Sequence, residues 1–490
     1  MTPNRNTDFL KRLVDTLRSL PAETEWVELK QNIANPQDVG ERISGLSNSA
    51  TLLGKPHAYI IWGISDEAHE IVGTTFEPRT AKVGNEELEN WLVRSLNPRL
   101  DIRFFAVEID GKKLIILEIP RASHAPTDFH GVRKIRVGSI TKNLTEYPNK
   151  ERELWKALEQ VPSEEFHAAE GLSPNGVIEL LDYPGYFELT RTPLPDGVEK
   201  IVHRLAEDRM ASQNAAGSWD ITNLGAILFA RNMSEVKHLA RKAVRVIIYQ
   251  GKDRSTTKRE ELGKKGYANG FTGLIEYLNT VLPRNEVLKS AIREEVPMYP
   301  MLAVRELLAN ALIHQDFSIT GAGPMVEVFS DRLEISNPGE PLVSPDRFLD
   351  APPRSRNESL ASFMRRIGIC EERGSGIDKV VKQTELFQLP APVFETTEGF
   401  TRSILFAHKS FDKMKPEEKM RACYWHAALK WAGEDRSPIT NSSLRERFKI
   451  EDRDISVASR IISDTIEAKF IKPYDSEQSK KYSKYVPIWA

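Results

Sequence analysis

Residues 23–32 read ETEWVELKQN. Side chains alternate along an extended strand, so Trp26, Glu28 and Lys30 share one face while Val27 and Leu29 share the other and go to the core. Glu28 and Lys30 therefore stand side by side. Glu23, just ahead of the strand, can fold back beside Glu28. Downstream, HAYIIWGISD (57–66) reads as a buried strand ending in a turn, with Asp66 at its exit. Three carboxylates, Glu23, Glu28 and Asp66, with Lys30 beside them, can hold Mg²⁺ or Mn²⁺ and steady a phosphate while the metal activates water. The competing reading is a solvated E-x-K ion pair, worth little in energy. Trp26 would stack a single-stranded base or pack at the rim of the core.

The chain has 490 residues, enough for about three domains. Its apolar fraction of 40% is that of a globular protein. Lys and Arg number 68 against 70 Asp and Glu, a formal net charge of −2, so no global basic field draws it to nucleic acid or membrane. Any such contact must come from local patches. Cys370 and Cys423 lie far apart and outside any C-x-x-C pattern, which argues against a disulfide framework or thiolate zinc site. The opening MTPNRNTDFLKRLVDTLRSL has no continuous apolar core, and no run of about 18 apolar residues occurs. These features predict a cytoplasmic protein without a membrane span.

Composition breaks fall near 159–176, 337–357 and 407–419. The first and third read as domain boundaries and the second as a loop, giving domains at 1–160, 170–407 and 415–490. The first domain reads as α/β. NPQDVGERISGLSNSA (35–50) is a helix with Asn35 as N-cap and Pro36 at the first helical position. DIRFFAVEIDGKKLIILEIP (101–120) is two strands joined at Asp110-Gly111. VRKIRVGSITKNLT (132–145) adds a final strand. The middle region mixes helices with strands such as AVRVIIYQ and FTRSILFA, so the fold class is α/β (α+β), multidomain.

YPMLAVRELLANALIHQDFS (299–318) is a helix with an apolar stripe of Val304, Leu307, Leu308 and Ala311. Glu306, Asn310 and His314 fall one turn apart on another face. A carboxylate there can orient water, and an amide oxygen can coordinate Mg²⁺; a plain solvated face fits the same spacing. EERGSGIDKVVKQ (371–383) puts Gly374, Ser375 and Gly376 at the start of a helix, where amides and the helix dipole favour phosphate. Many such glycines are only tight turns. No G-x-x-x-x-G-K-[ST] segment occurs, which excludes a Walker-type motor.

The last 75 residues or so read as three helices and a basic hairpin-like tail, the order of a winged helix-turn-helix. Val457, Ile461, Ile462 and Ile466 would be buried, with Arg460 facing a groove and Lys480, Lys481 and Lys484 in a wing beside Tyr482 and Tyr485. Lysines for phosphates and tyrosines for stacking suit nucleic acid; docking or dimerisation is the other use of such a module.

ETEWVELKQN, ISGLSNSA (43–50) and YIIWGISDEAHEIVG (59–73) together resemble the AlbA-like domain of Schlafen proteins and bacterial regulators. The resemblance implies ribonuclease carboxylates at Glu23, Glu28 and Asp66 with Lys30 as their basic neighbour. The chain departs from the family at residues 48–63, where the usual short Asn-x-x-Gly-Gly turn is longer. RELLANALIH (305–314), DRLEISNPG (331–339), RN (356–357) and RGSGI (373–377) resemble the ATP-binding fold shared by gyrase B, histidine kinases and MutL. That resemblance implies Glu306 as water-orienting base and Asn310 as Mg²⁺ ligand. Asn337 and Gly339 would lie at the adenine, with Gly374, Ser375 and Gly376 at the phosphates. Asn337 stands where the wider superfamily has Asp. The pairing implies an ATP-gated, metal-dependent nuclease acting on RNA or DNA, assembled as a homo-oligomer of at least two copies and suited to antiphage defence. The alternative is an ATP-responsive DNA-binding regulator without catalysis.

Overall fold

Asn35 opens helix α2 (Pro36–Leu52) by accepting hydrogen bonds from the amides of Gln37 (2.9 Å) and Asp38 (3.4 Å), as its place before Pro36 predicts. The computed structural model describes residues 6–20, 24–32, 34–65, 69–123, 125–160, 163–289, 292–371, 376–475 and 483–490. Ahead of α2 come α1 (Thr7–Arg18) and β1 (Val27–Lys30). After it come β2 (His57–Trp62), the short pair β3 (Lys82–Val83) and β4 (Glu86–Glu87), α3 (Leu88–Ser95) and β5 (Leu96–Asn97). Then follow β6 (Arg103–Ile109), β7 (Lys112–Pro120), β8 (Asp128–Phe129), β9 (Val132–Val137), β10 (Ile140–Asn143) and α4 (Pro148–Gln160).

One sheet runs β1-β2-β7-β6 and a second β10-β9-β8-β5. β1 pairs parallel to β2, with Val27 opposite Tyr59 and Lys30 opposite Trp62. Asp110 and Gly111 both take positive φ (51° and 72°), the turn their sequence predicts between β6 and β7. The expected single strand over 132–145 is instead the hairpin β9–β10, turned at Gly138 with φ 60°. α1 covers one face of the first sheet through Phe9, Leu13, Val14 and Leu17; α2 covers the other through Val39, Ile43, Leu46 and Ala50.

The polar side of α2 is also buried, and that follows from the strands beside it. Ser44, Ser47, Asn48 and Ser49 are all fully buried. Asn48 Nδ2 donates to the carbonyls of Thr127 (2.9 Å) and Lys134 (2.8 Å), and its Oδ1 accepts from the Thr127 amide (2.7 Å). The amides of Lys134 and Arg136 donate to Ser44 Oγ and Ser49 Oγ, 3.0 Å each. A helix thus supplies the hydrogen bonds that a neighbouring strand would otherwise give β9.

Beyond α4 come β11 (His167–Leu172), α5 (Pro174–Leu180), α6 (Tyr183–Thr190), α7 (Val198–Glu207), β12 (Ala211–Gln213), β13 (Trp219–Thr222) and α8 (Asn223–Phe229). The three strands form a sheet in the order β11-β13-β12. Next are β14 (Arg245–Tyr249), β15 (Thr257–Leu262), α9 (Tyr267–Val281), the hairpin β16 (Arg284–Lys289) and β17 (Ile292–Pro297), and α10 (Met301–Ile313). Then come β18 (Met325–Val328), β19 (Arg332–Pro338), α11 (Glu358–Arg366), α12 (Gly376–Leu386), β20 (Val393–Thr397) and β21 (Phe400–Phe406). A six-stranded sheet, β15-β14-β18-β19-β21-β20, carries α10 and α12.

The chain closes with α13 (Pro416–Ala432), α14 (Asn441–Phe448), α15 (Ile455–Glu467) and the antiparallel pair β22 (Ile471–Pro473) and β23 (Tyr485–Pro487), in the predicted order. α15 buries Ala458, Ile461, Ile462 and Thr465. Val457, expected in that face, is 36% exposed because the buried stripe runs from 458 at helical spacing and turns its neighbour outward. Ile466 is only half-buried. One continuous apolar core joins residues from Ala168 to Ile471, so this last module shares its packing with the middle of the chain. Cys370 and Cys423 are free thiols. Among the described residues, no helix is long and apolar enough to cross a membrane.

Replacing Asn48 with Ala removes the acceptor for a buried amide and the donor to two buried carbonyls. Urea unfolding should show Asn48→Ala losing about 2–4 kcal/mol, the cost of orphaned buried backbone groups. A loss under about 0.5 kcal/mol would mean the seam is not structural.

Candidate nucleotide cleft and nucleic-acid interface

α10 is apolar on its core side, and its other side forms one wall of a cleft of about 1100 Å³. Glu306, Asn310 and His314 all line it, together with Asn337 from β19 and Gly376 from the start of α12. The predicted i, i+4, i+8 set therefore meets two other predicted segments in one place. Glu306 is 2% exposed, so the solvated-face explanation fails for it. Burial raises its carboxyl above the usual range, while Arg305, donating to Oε1 at 3.0 Å, works the other way. A carboxyl so placed is suited to taking a proton from water.

Gly376 lets α12 approach. A Cβ there would stand 3.1 Å from Glu306 Oε2 and 3.6 Å from Asn310 Nδ2. Asn337 is 4% exposed, and its Nδ2 donates to the Pro338 carbonyl at 3.1 Å. That bond turns Oδ1 into the acceptor available to a ligand amino group. Gly339, expected at the adenine, serves the wall differently: it takes φ 103°, and a Cβ would lie 2.8 Å from Arg356 Nη1. Arg356 passes over it to the carbonyls of His314 (3.2 Å) and Glu340 (3.1 Å). Arg354, Arg365 and Arg366 join Arg356 on a lining that also carries acidic side chains, among them Asp208, which pairs with Arg366; the arginines are the groups there able to bind polyphosphate. Gly374 and Ser375 lie outside the described residues.

Sequence reasoning missed Asp378. Its carboxyl lines the cleft, burial pushes it up, and Oδ1 has no hydrogen-bond partner among the described residues. An Asp in a first helical turn is ordinary, so only the cleft distinguishes it. The donor set, the Asn337 amide, the Glu306 carboxylate, the Asn310 amide and the arginines, fits a nucleoside triphosphate with its Mg²⁺. Asn310 would hold the cation.

In the first domain, Glu28 and Lys30 do stand side by side, Nζ to Oε1 3.0 Å. Glu28 is 6% exposed. Arg42 also binds its Oε1, and Arg136 Nη1 lies 2.6 Å from Oε2. Burial lowers the Arg136 guanidinium, and Glu28 opposes that shift. Lys30 and Arg42 line a cavity of about 470 Å³ with Asn32, Asn35 and Asp38. Arg136 is buried, so Lys30 and Arg42 are the two cations on Glu28 that this cavity offers to a phosphate. Glu23 and Asp66 lie outside the described residues, and among those described no cluster of three or more His, Cys, Asp or Glu side chains is arranged to hold a metal ion. Trp26 packs edge-on against Tyr59, ring centroids 6.2 Å apart, with Lys55 over its ring. In the last module Arg460 and Lys484 are exposed; Lys480, Lys481 and Tyr482 lie outside the described residues.

Residues 23–145 match the family model "Schlafen, AlbA_2". That stretch is a Schlafen AlbA_2 domain. Residues 321–405 match "Putative ATP-dependent DNA helicase recG C-terminal". The matched span holds Asn337, Gly339 and Gly376; Glu306 and Asn310 precede it. The chain is thus a Schlafen AlbA_2 domain joined to an ATPase-like domain, a nucleic-acid-related, ATP-binding combination. Among solved structures, the DIP2311 protein from Corynebacterium diphtheriae aligns over 98% of this chain and 96% of its own, at 17% identity and a TM-score of 0.41. No curated protein matches the chain.

His314 supplies a pH test. Burial, then the neighbouring Arg356, pushes its imidazole down to about 4, against about 6.5 when unfolded. Between those values the unfolded chain carries a proton that the folded one refuses. Its contribution is full above pH 6.5 and lost as pH falls through 4. His314→Gln should remove roughly 2 kcal/mol from the decline in unfolding free energy over that window. An unchanged slope would show that His314 is not held neutral.

Proposed function

We propose that the protein is an ATP-responsive nucleic-acid-binding protein, with the Schlafen AlbA_2 domain and the last module as its nucleic-acid contacts. The observation that carries this reading is the convergence of Glu306, Asn310, Asn337 and Gly376 on one cleft. ATP places its adenine amino group at Asn337 Oδ1 and its phosphates at the α12 N-terminus. Asn310 would hold Mg²⁺, which would supply charge neutralisation there. Glu306, its carboxyl raised by burial, orients a water for slow hydrolysis. ATP acts as a switch, because the two domains differ in task and the sequence carries no motor segment.

A second reading adds metal-dependent cleavage, RNA before DNA, of the kind that defends bacteria against phage. The pairing of Lys30 with Glu28 beside an open cavity favours it. It requires Glu28 to exchange Arg42 for Mg²⁺ or Mn²⁺, with Glu23 and Asp66 completing the site. The cations now on Glu28 favour binding over cleavage in the described arrangement.

Two measurements test these readings. In equilibrium titration with ATP and Mg²⁺, Asn310→Ala should weaken binding about 30- to 100-fold, while Glu306→Gln keeps affinity and loses hydrolysis. Equal affinity in wild type and Asn310→Ala would remove the nucleotide site. Transfer RNA, single-stranded RNA and duplex DNA are then incubated with Mg²⁺ or Mn²⁺, with and without ATP. Binding that shifts with ATP supports the switch. Cleavage abolished in Glu28→Gln adds the nuclease; no cleavage in wild type removes it.

A further inference from the structure

α11 begins without a local cap. Asn357, its N-cap residue, makes no side-chain capping bond. Its Nδ2 instead donates to the carbonyls of Ile313 (2.7 Å) and Gln315 (2.8 Å), at the end of α10. The free amides of α11 are taken by a residue 195 positions away. Glu164 accepts from Leu360 N at 2.6 Å and from Ser359 N at 3.3 Å, and it is 1% exposed. A carboxylate on a helix N-terminus is a charge-assisted cap, and the dipole strengthens it.

The position of Glu164 gives this cap a second meaning. It sits in the short turn Ser163–Glu165, just past α4. α4 belongs to the first domain: Leu154 and Leu158 pack with Ala122, Ile135 and Leu144. α11 belongs to the nucleotide cleft, which Ser359, Ser362, Arg365 and Arg366 line. The turn is fixed on both sides. Asn223 donates to Ser163 O (2.8 Å) and Phe166 O (2.6 Å), and Arg121, at the end of β7, lies over the Phe166 ring.

We propose that Glu164 is the joint through which occupancy of the nucleotide cleft acts on the Schlafen AlbA_2 domain. This rests on the nucleotide-binding reading above. A ligand that closes on α11 moves the amides that Glu164 caps. The carboxylate follows them, because leaving it buried and unpaired is costly. α4, a few residues upstream, is displaced with it. Glu164 is a positioning residue; it does not line the cleft.

Hydrogen exchange on the full chain tests this, with no nucleotide and with ATP plus Mg²⁺. Without nucleotide, Glu164→Ala should exchange about tenfold faster both in the first turn of α11 and in α4. Glu164→Gln, which keeps an acceptor oxygen, should stay near wild type. ATP should alter α4 protection in wild type severalfold, and in Glu164→Ala should protect α10 and α12 while leaving α4 unchanged. If Glu164→Ala does not fold, Glu164→Asp, one methylene short, should show the same loss of the α4 response. An α4 response intact in these variants, or absent from wild type while ATP protects α10 and α12, overturns the proposal. ATP protecting nothing in wild type overturns the nucleotide-binding reading itself, and this inference with it.

Discussion

The last turn of α10 ends in carbonyls that its own helix cannot satisfy, and the way they are satisfied sets the shape of the cleft. Gln315 Nε2 bonds Leu312 O at 2.9 Å. Asn357 takes Ile313 O and Gln315 O, and Arg356 takes His314 O. Lys242, buried to 2%, donates to Asp316 O (3.1 Å) and Ile319 O (2.8 Å). Burial lowers its ammonium to about 8, with Asp316 acting against the shift. The donors come from three segments, so one helix end fixes the loop before α11, the turn after α10 and the strand region before β14. Gly339 is required because Arg356 must cross that point. The cleft is therefore a consequence of backbone accounting as much as of ligand chemistry.

The same accounting recurs in the first domain. α2 turns serines and an asparagine towards β9, and their hydroxyl and amide groups stand where a strand ladder would be. The six-stranded sheet solves a charge problem in a comparable manner. Glu327 and Glu334 face each other across β18 and β19, both nearly buried. Like charges opposed in this way are destabilising unless cations intervene. Arg254 binds both, at 2.7 and 3.1 Å, and Arg332 adds a contact of 2.6 Å to Glu334. Glu28 among Lys30, Arg42 and Arg136 is a third case. In the two charged cases, removing one partner would strand a buried charge, which is why these clusters define geometry more than they add stability.

Domain junctions follow from contacts that are sparse in sequence and specific in space. Glu164 caps α11 across the boundary between the first domain and the cleft. Arg12 of α1 reaches Ser218 Oγ at 3.3 Å, and Ala216 enters the apolar core under α1. His57 of β2 lies 3.9 Å from Glu170 of β11. The last module joins differently, through a shared apolar core in which Trp425 meets Phe394 edge-on.

Periodicity and turn chemistry were enough to read the Asn35-Pro36 start of α2, the Asp110-Gly111 hairpin and α10, because each is decided by residues within one turn or one ladder step. The grouping of Glu306, Asn310, Asn337 and Gly376 was legible too, through the resemblance of their motifs, in order, to the ATP-binding fold of gyrase B, histidine kinases and MutL. The β9–β10 hairpin was read as one strand because Gly138-Ser139 is a weak turn signal. The outward turn of Val457 depends on which face of α15 the core selects. Asp378 at the cleft, the role of Gly339 beneath Arg356, the two arginines on Glu28 and the cap supplied by Glu164 had no local signal at all. They arise where residues from 14 to 196 positions apart must satisfy one another's buried charges and amides, and only the folded chain brings them within reach.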